Sequence, residues 1–112
     1  SFMQYTLSEI QTITNASLVK GNLADTIKHL SIDSRSTLNE HTLFIAISGV
    51  RNNGHKYIKD VYENGGRNFL VSEEVDVSLY PDANFLKVKD TTLALQQLAT
   101  AHRKNVIKKS IL

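Results

Sequence analysis

The residues equipped for chemistry gather in two short polar runs. The first is Asp33-Ser34-Arg35-Ser36, and the second is Gly49-Val50-Arg51-Asn52-Asn53-Gly54-His55. Between them they offer backbone N–H groups, guanidiniums, hydroxyls and side-chain amides. That is the equipment for holding a pyrophosphate together with a base or sugar. A plainer reading exists for each run. Asp33 and Ser34 can cap a turn, Arg35 can pair with a carboxylate, and Asn53-Gly54 can start a helix. The residue types leave both readings open.

Covalent and metal chemistry find less support. The sequence holds no Walker A loop, no GxGxxG and no HExxH. His29, His41, His55 and His102 do not fall at helical i, i+3 or i, i+4 spacing, so no metal site is expected. Ser34, His55 and Asp33 can be drawn as a nucleophilic triad, but Ser34 sits in no nucleophile elbow. No catalytic residue, and no independent small hydrolase, is expected from these pieces.

Those two runs must be positioned by the elements around them. Thr6-Leu7-Ser8-Glu9 is a capping box, with Leu7, Ile10 and Ile13 forming the apolar stripe of a helix that ends near Asn15. Residues 17–19 read as a short strand stopped by Gly21-Asn22, and residues 29–33 as a second strand. Residues 42–48 (TLFIAIS) are near-continuously apolar, the pattern of a central strand covered on both faces. A helix over residues 55–64, ended by Gly65-Gly66, carries the chain to a strand at residues 68–72. Another strand follows at residues 85–88, after a loop over 76–84 that holds the only proline. Asp90 caps a long helix reaching about Asn105, with Leu95, Leu98, Ala99, His102 and Val106 inward.

Strands alternate with helices, so the expected fold class is α/β: one small layered domain. Its sheet should be mostly parallel or mixed, of about five strands with flanking helices. Both polar runs then follow the carboxyl ends of strands, where open α/β sheets take ligands.

Bulk properties agree with this frame. The chain has 112 residues, 41% hydrophobic and 21% charged, with a net charge of +2 and no cysteine. That suits one soluble domain, excludes a disulfide framework, and favours the cytoplasm. No apolar run approaches the roughly 20 residues of a membrane span, and no signal peptide is visible. Arg103, Lys104, Lys108 and Lys109 form the one basic cluster, read as a solvated helix end rather than a nucleic-acid surface. The near-neutral charge and the absence of stacking aromatics beside the cluster argue against nucleic acid as a partner.

Five motifs in order carry a family resemblance. They are Ile32-Asp33-Ser34-Arg35, Thr42-Leu43-Phe44-Ile45-Ala46-Ile47-Ser48-Gly49, and Asn53-Gly54-His55-Lys56-Tyr57-Ile58. Then come Gly65-Gly66-Arg67-Asn68-Phe69-Leu70-Val71 and Val88-Lys89-Asp90-Thr91-Thr92-Leu93-Ala94-Leu95-Gln96-Gln97-Leu98-Ala99, followed by His102-Arg103. Together they resemble the N-terminal domain of the Mur ligases, the ATP-dependent enzymes that build the peptidoglycan stem peptide. Closest in flavour is the ligase that adds D-alanyl-D-alanine, including the form fused to an alanine racemase. A related member adds the third stem residue. Two departures stand out: Glu40-His41 replaces the usual Gly-Asp before the strand, and Asn53 replaces the usual Asp before Gly54.

The resemblance implies a role in holding the UDP end of UDP-N-acetylmuramoyl-peptide. The contacts carried over are Ile32, Ser34, Val50, Arg51 and Asn52, with Arg35 and His55 second in rank. ATP and Mg would belong to a central domain, and a C-terminal domain would help bind the incoming amine. The peptide carboxylate would be activated as an acyl phosphate, in service of cell-wall synthesis, cell shape and division. Residues 3–109 would be the substrate-binding domain, preceded by a cloning remnant at residues 1–2. Residues 110–112 would open the strand into the ATP-binding domain. This stretch alone is expected to hold no cofactor and to be inactive.

Overall fold

Three strands that bury nearly every residue set the architecture of the computed structural model, which describes residues 3–111, with side chains to Val106. They are β5 (Thr42–Ile45), β6 (Asn68–Val71) and β7 (Asn84–Lys87). The remaining strands are β1 (Tyr5–Thr6), β2 (Ser17–Lys20), β3 (Thr26–Ile27) and β4 (His29–Ser31). The helices are α1 (Leu7–Thr14), α2 (Ile58–Glu63) and α3 (Thr91–Ile111). The main sheet has the order β2-β7-β6-β5-β4; β4 to β7 run parallel, and β2 is antiparallel to β7. The tiny β1 and β3 pair apart, antiparallel. The α/β class and the five-strand mixed sheet are therefore as expected.

The helices sandwich the sheet, and the strand residues alternate accordingly. Leu43, Ile45, Leu70 and Leu86 join Leu7, Ile10, Ala94 and Leu98 in one core, under α1 and α3. Phe44, Phe69, Val71 and Phe85 join Ile58 and Val61 in the other, under α2. Parallel register puts Phe44 opposite Phe69 and Phe69 opposite Phe85. The first pair meets edge-on at 6.3 Å, and the second stacks at 4.9 Å. Burial on both faces is why residues 42–45 read as a continuous apolar run. The middle strand, however, is β6; β5 lies one place in from the β4 edge.

Element ends differ from expectation for local reasons. β4 stops at Ser31, because Asp33 folds the next residues into a turn: its Oδ1 accepts from the Arg35 N–H at 2.8 Å, and its C=O from the Ser36 N–H at 3.2 Å. β5 ends at Ile45, although the Ala46 N–H still reaches the Leu70 C=O at 3.0 Å. The helix expected over 55–64 begins as a 3-10 turn, Gly54–Tyr57, before α2. Ala99 and Val106, expected on the inner face of α3, are exposed; among the described residues, Thr91, Ala94 and Leu98 are the ones it buries. Ser110 and Ile111, expected to open a strand, continue the backbone of α3, while residues 1–2 and Leu112 lie outside the described residues. The run after Asn105 contains neither glycine nor proline to stop a helix.

At the opposite end of the sheet from the two polar runs, buried Asn68 and Asn84 face each other. Asn84 Nδ2 donates to Asn68 Oδ1 at 2.8 Å, and Asn68 Nδ2 donates to the Glu40 C=O at 2.8 Å. This fixes the Glu40-His41 turn into β5. Asn39 closes the same turn, its Oδ1 accepting from the His41 N–H at 2.8 Å.

Candidate functional site

The two polar runs meet in an open cleft of about 1080 Å³ at the carboxyl ends of β4 and β5. Ile32, Asp33, Ser34 and Arg35 form one wall; Gly49, Arg51, Asn52 and Gly54 form another. Tyr57, Asp60 and Asn64, on one face of the turn and helix that follow, form the floor.

The first wall follows from the Asp33 turn. The Asp33 carboxylate accepts from the backbone N–H of Arg35 and from its Nε at 3.2 Å. Those two bonds, the backbone one first, hold the Asp33 carboxyl below its ordinary range, and Asp33 in turn raises Arg35. The pair is solvent-exposed, so it shapes the turn more than it stabilises the fold. Half-buried Ser34 is left facing the cleft, and exposed Ile32 adds an apolar rim.

The second wall is a tight hairpin. Ser48 and Asn53 bridge at its base, and the Gly49 N–H donates to the Asn52 C=O at 2.8 Å. Val50 and Arg51 occupy its tip. The Gly54 N–H donates to the Ile47 C=O at 2.8 Å, drawing the backbones together. A Cβ on Gly54 would sit 2.9 Å from the Ile47 nitrogen and 3.0 Å from the Ala46 Cα, so this approach requires glycine. The Tyr57 hydroxyl donates to Asn52 Oδ1 at 3.3 Å and braces the loop from the floor. Asn53 caps the 3-10 turn, its Oδ1 accepting from the His55 N–H at 3.0 Å.

Of the residues expected to contact ligand, Ile32, Ser34, Arg35, Arg51 and Asn52 line the cleft. Val50 does not line it; its side chain stands free at the hairpin tip. His55 does not line it either. Its side chain, 7% exposed, turns toward the end of β6, where Nε2 accepts from the Ser72 N–H at 2.9 Å. Ser34, Asp33 and His55 therefore form no triad. Among the described residues, no hydrogen-bond or ion-pair partner engages the Arg51 guanidinium, whereas Arg35 is committed to Asp33. Tyr57, Asp60 and Asn64 were missed as site residues. Their spacing of three and four does mark one polar helical face, but that pattern reads equally as solvent-facing.

Among the described residues no group of three His, Cys, Asp or Glu converges to hold a metal. Among the described residues, no helix is long and apolar enough to cross a membrane. Arg103 and Lys104 lie on exposed positions near the end of α3, away from the cleft; the side chains of Lys108 and Lys109 are outside the described residues.

Comparison with known proteins gives the geometry a context. The profile described as "Mur ligase family, catalytic domain" matches residues 26–103, a stretch that takes in both walls and the floor. The chain is 42% identical over 81 residues to the UDP-N-acetylmuramoyl-L-alanyl-D-glutamate–2,6-diaminopimelate ligase of Clostridioides difficile, covering 72% of this chain and 16% of that protein. It is 37% identical over 99 residues to the UDP-N-acetylmuramoyl-tripeptide–D-alanyl-D-alanine ligase of Bacillus subtilis, covering 82% and 21%. Its fold matches a crystal structure of MurF from Acinetobacter baumannii with a TM-score of 0.81 at 28% identity, over 93% of this chain and 22% of that one.

Proposed function

Because the chain belongs to the Mur ligase family, we propose that it is the N-terminal domain of such a ligase and holds the UDP end of UDP-N-acetylmuramoyl-tripeptide. The rest of the enzyme would add D-alanyl-D-alanine. The observation carrying this reading is the cleft at the carboxyl ends of β4 and β5, which has an uncommitted guanidinium at Arg51 and the Ser34 hydroxyl opposite. A diphosphate suits Arg51, which can offer it a charge-assisted, two-pronged donor set. The hydroxyl, amide and carboxylate groups of Ser34, Asn52 and Asp60 suit the donors and acceptors of a nucleoside. Arg35 is second in rank because Asp33 already occupies it.

The chain spans only 16% to 22% of the relatives' lengths, so the chemistry is assigned to the remainder. The sequence has no phosphate-cradling Gly-Lys loop, and among the described residues no cluster could hold a divalent ion. The residues here do not fit ATP or Mg, and no step of the acyl-phosphate route runs through them. What this domain supplies is binding energy and orientation from a non-reacting part of the substrate, which helps to place the distant carboxylate. The stretch alone is then inactive, and its place is the cytoplasm, where nucleotide-linked precursors are made.

A second reading is favoured by one observation. The 42% identity is to a ligase that adds 2,6-diaminopimelate, the third stem residue. The overall fold and the B. subtilis relative support the D-alanyl-D-alanine ligase. A UDP-holding site serves either reaction equally.

The test is calorimetric titration of the chain with UDP-N-acetylmuramoyl-tripeptide. Losing a charge-assisted contact of roughly 1.5–3 kcal/mol should weaken binding by Arg51→Ala about 10- to 100-fold, with Ser34→Ala weakening it further. Unchanged affinity in the double variant would remove the site assignment.

A further inference from the structure

His55, turned away from the cleft, sits at the junction of three segments. Its Nε2 accepts from the Ser72 N–H at 2.9 Å, just beyond β6. A backbone N–H only donates, so Nε2 must carry the lone pair and Nδ1 the proton. That proton points to Asn53 Oδ1, 2.7 Å away, and Ser48 Oγ lies 3.4 Å from the same nitrogen. Asn53 Nδ2 completes the chain by donating to Glu73 Oε2 at 2.6 Å. Ser48 and Asn53 are the two residues that bridge at the base of the Arg51 hairpin. One imidazole thus ties both legs of that hairpin to the end of the central strand.

We propose that neutral His55 is the positioning residue of the cleft: acting through Asn53 and Ser48, it holds the Arg51 hairpin where a nucleoside diphosphate can be gripped, and protonation releases that hold. The ligand part of this inference rests on the substrate-binding reading above; the hairpin part does not.

Protonating His55 sets an N–H on Nε2 against the N–H of Ser72, donor against donor. The Ser72 link is lost and only the Asn53 side survives. Burial pushes the His55 pKa below its ordinary value, while Glu73 works the other way. Glu73, on the turn after β6, is the charged group facing the ring; the hairpin legs and the β6 end present uncharged Ser48, Asn53 and Ser72. The folded state therefore prefers the neutral ring. The hold is complete at and above neutral pH and is lost as pH falls through the depressed folded value.

The test is amide NMR of the 15N-labelled chain from about pH 8 to about pH 5, a window in which imidazole titrates and carboxylates do not. In the wild type, the amides of Gly49 to Asn52 should shift with one midpoint, shared by Ser72 and the His55 ring. In His55→Gln that transition should vanish. In Glu73→Gln, which removes the charge favouring the imidazolium, the midpoint should move to lower pH. The second variant carries the test if the first does not fold. Affinity for UDP-N-acetylmuramoyl-tripeptide should drop about fivefold to tenfold across the wild-type transition, as for ordinary coupled sites. It should become pH-independent in His55→Gln. Hairpin amides that ignore the His55 midpoint would overturn the proposal, whether or not ligand binds. Amides that follow it in a chain that binds no ligand at either pH would uphold the positioning role and sink the substrate reading instead.

Discussion

At the scale of single residues, the site depends as much on the absence of a side chain as on any polar group. Gly54 lets the hairpin base close onto the backbone of residues 46 and 47, where a Cβ would meet atoms at 2.9 to 3.2 Å. Those atoms belong to the continuation of a buried strand and cannot step aside. Gly54→Ala should destabilise the fold by roughly 1–3 kcal/mol, the usual cost of overpacking, and should weaken ligand binding as the Arg51 loop shifts. An unchanged urea midpoint would show that the strand end yields. The two polar runs hold Ser34, Arg35, Arg51 and Asn52, and the family resemblance adds Ile32; all five line the cleft. What the types could not tell is direction. His55 is as polar as Arg51, but a half turn of backbone sends it to Ser72 rather than to the cleft. Likewise the two readings of the Asp33 run prove compatible. Asp33 and Arg35 build the turn, and the turn presents Ser34.

At the scale of elements, what was legible tracked the strength of the local signal. The capping box of α1 is formed in full: the Glu9 N–H donates to Thr6 Oγ1 at 3.2 Å, and the Thr6 N–H to Glu9 Oε1 at 3.0 Å. Asn15, left-handed at φ 57°, ends the helix where expected. Likewise Asp90 caps α3, its Oδ1 accepting from the Thr92 N–H at 2.9 Å. The ends of β4 and β5 were not legible, because tertiary pairing and side-chain turns stop them before the apolar run does. The two-residue strands β1 and β3 are too short to carry any periodicity. α1 matters beyond itself, since Leu7 and Ile10 are fully buried in the core shared with α3. Tyr5 just ahead of it ties to α3, its hydroxyl accepting from Asn105 Nδ2 at 2.7 Å. Thr6→Ala should therefore cost about 1 kcal/mol of stability, read as a lower urea midpoint with the cleft residues' spectrum unchanged. No loss at all would mean that the packing of α1 makes its cap redundant.

At the scale of the whole molecule, a layered α/β domain places its variable loops at one end of a rigid sheet and leaves the other end to hold the fold together. The buried Asn68–Asn84 pair belongs to the holding end, and the Asp33 turn and Arg51 hairpin to the end that carries the cleft. Such a division would suit the proposed role of gripping the inert end of a large substrate; the chain spans 16% to 22% of the relatives it matches. It also explains why family membership is clearer than the identity of the reaction. On the proposed reading, this stretch would bind a nucleotide handle shared by the family's substrates, and it would need no group that distinguishes one incoming amine from another. The most direct test of this account is to titrate the 15N-labelled chain with UDP-N-acetylmuramoyl-tripeptide and map the perturbed amides. The account predicts that they cluster at residues 32–35, 49–52 and 57–64. Perturbations confined to residues away from the cleft, or none up to about 1 mM ligand, where even an affinity of only about −4 kcal/mol would register, would contradict it.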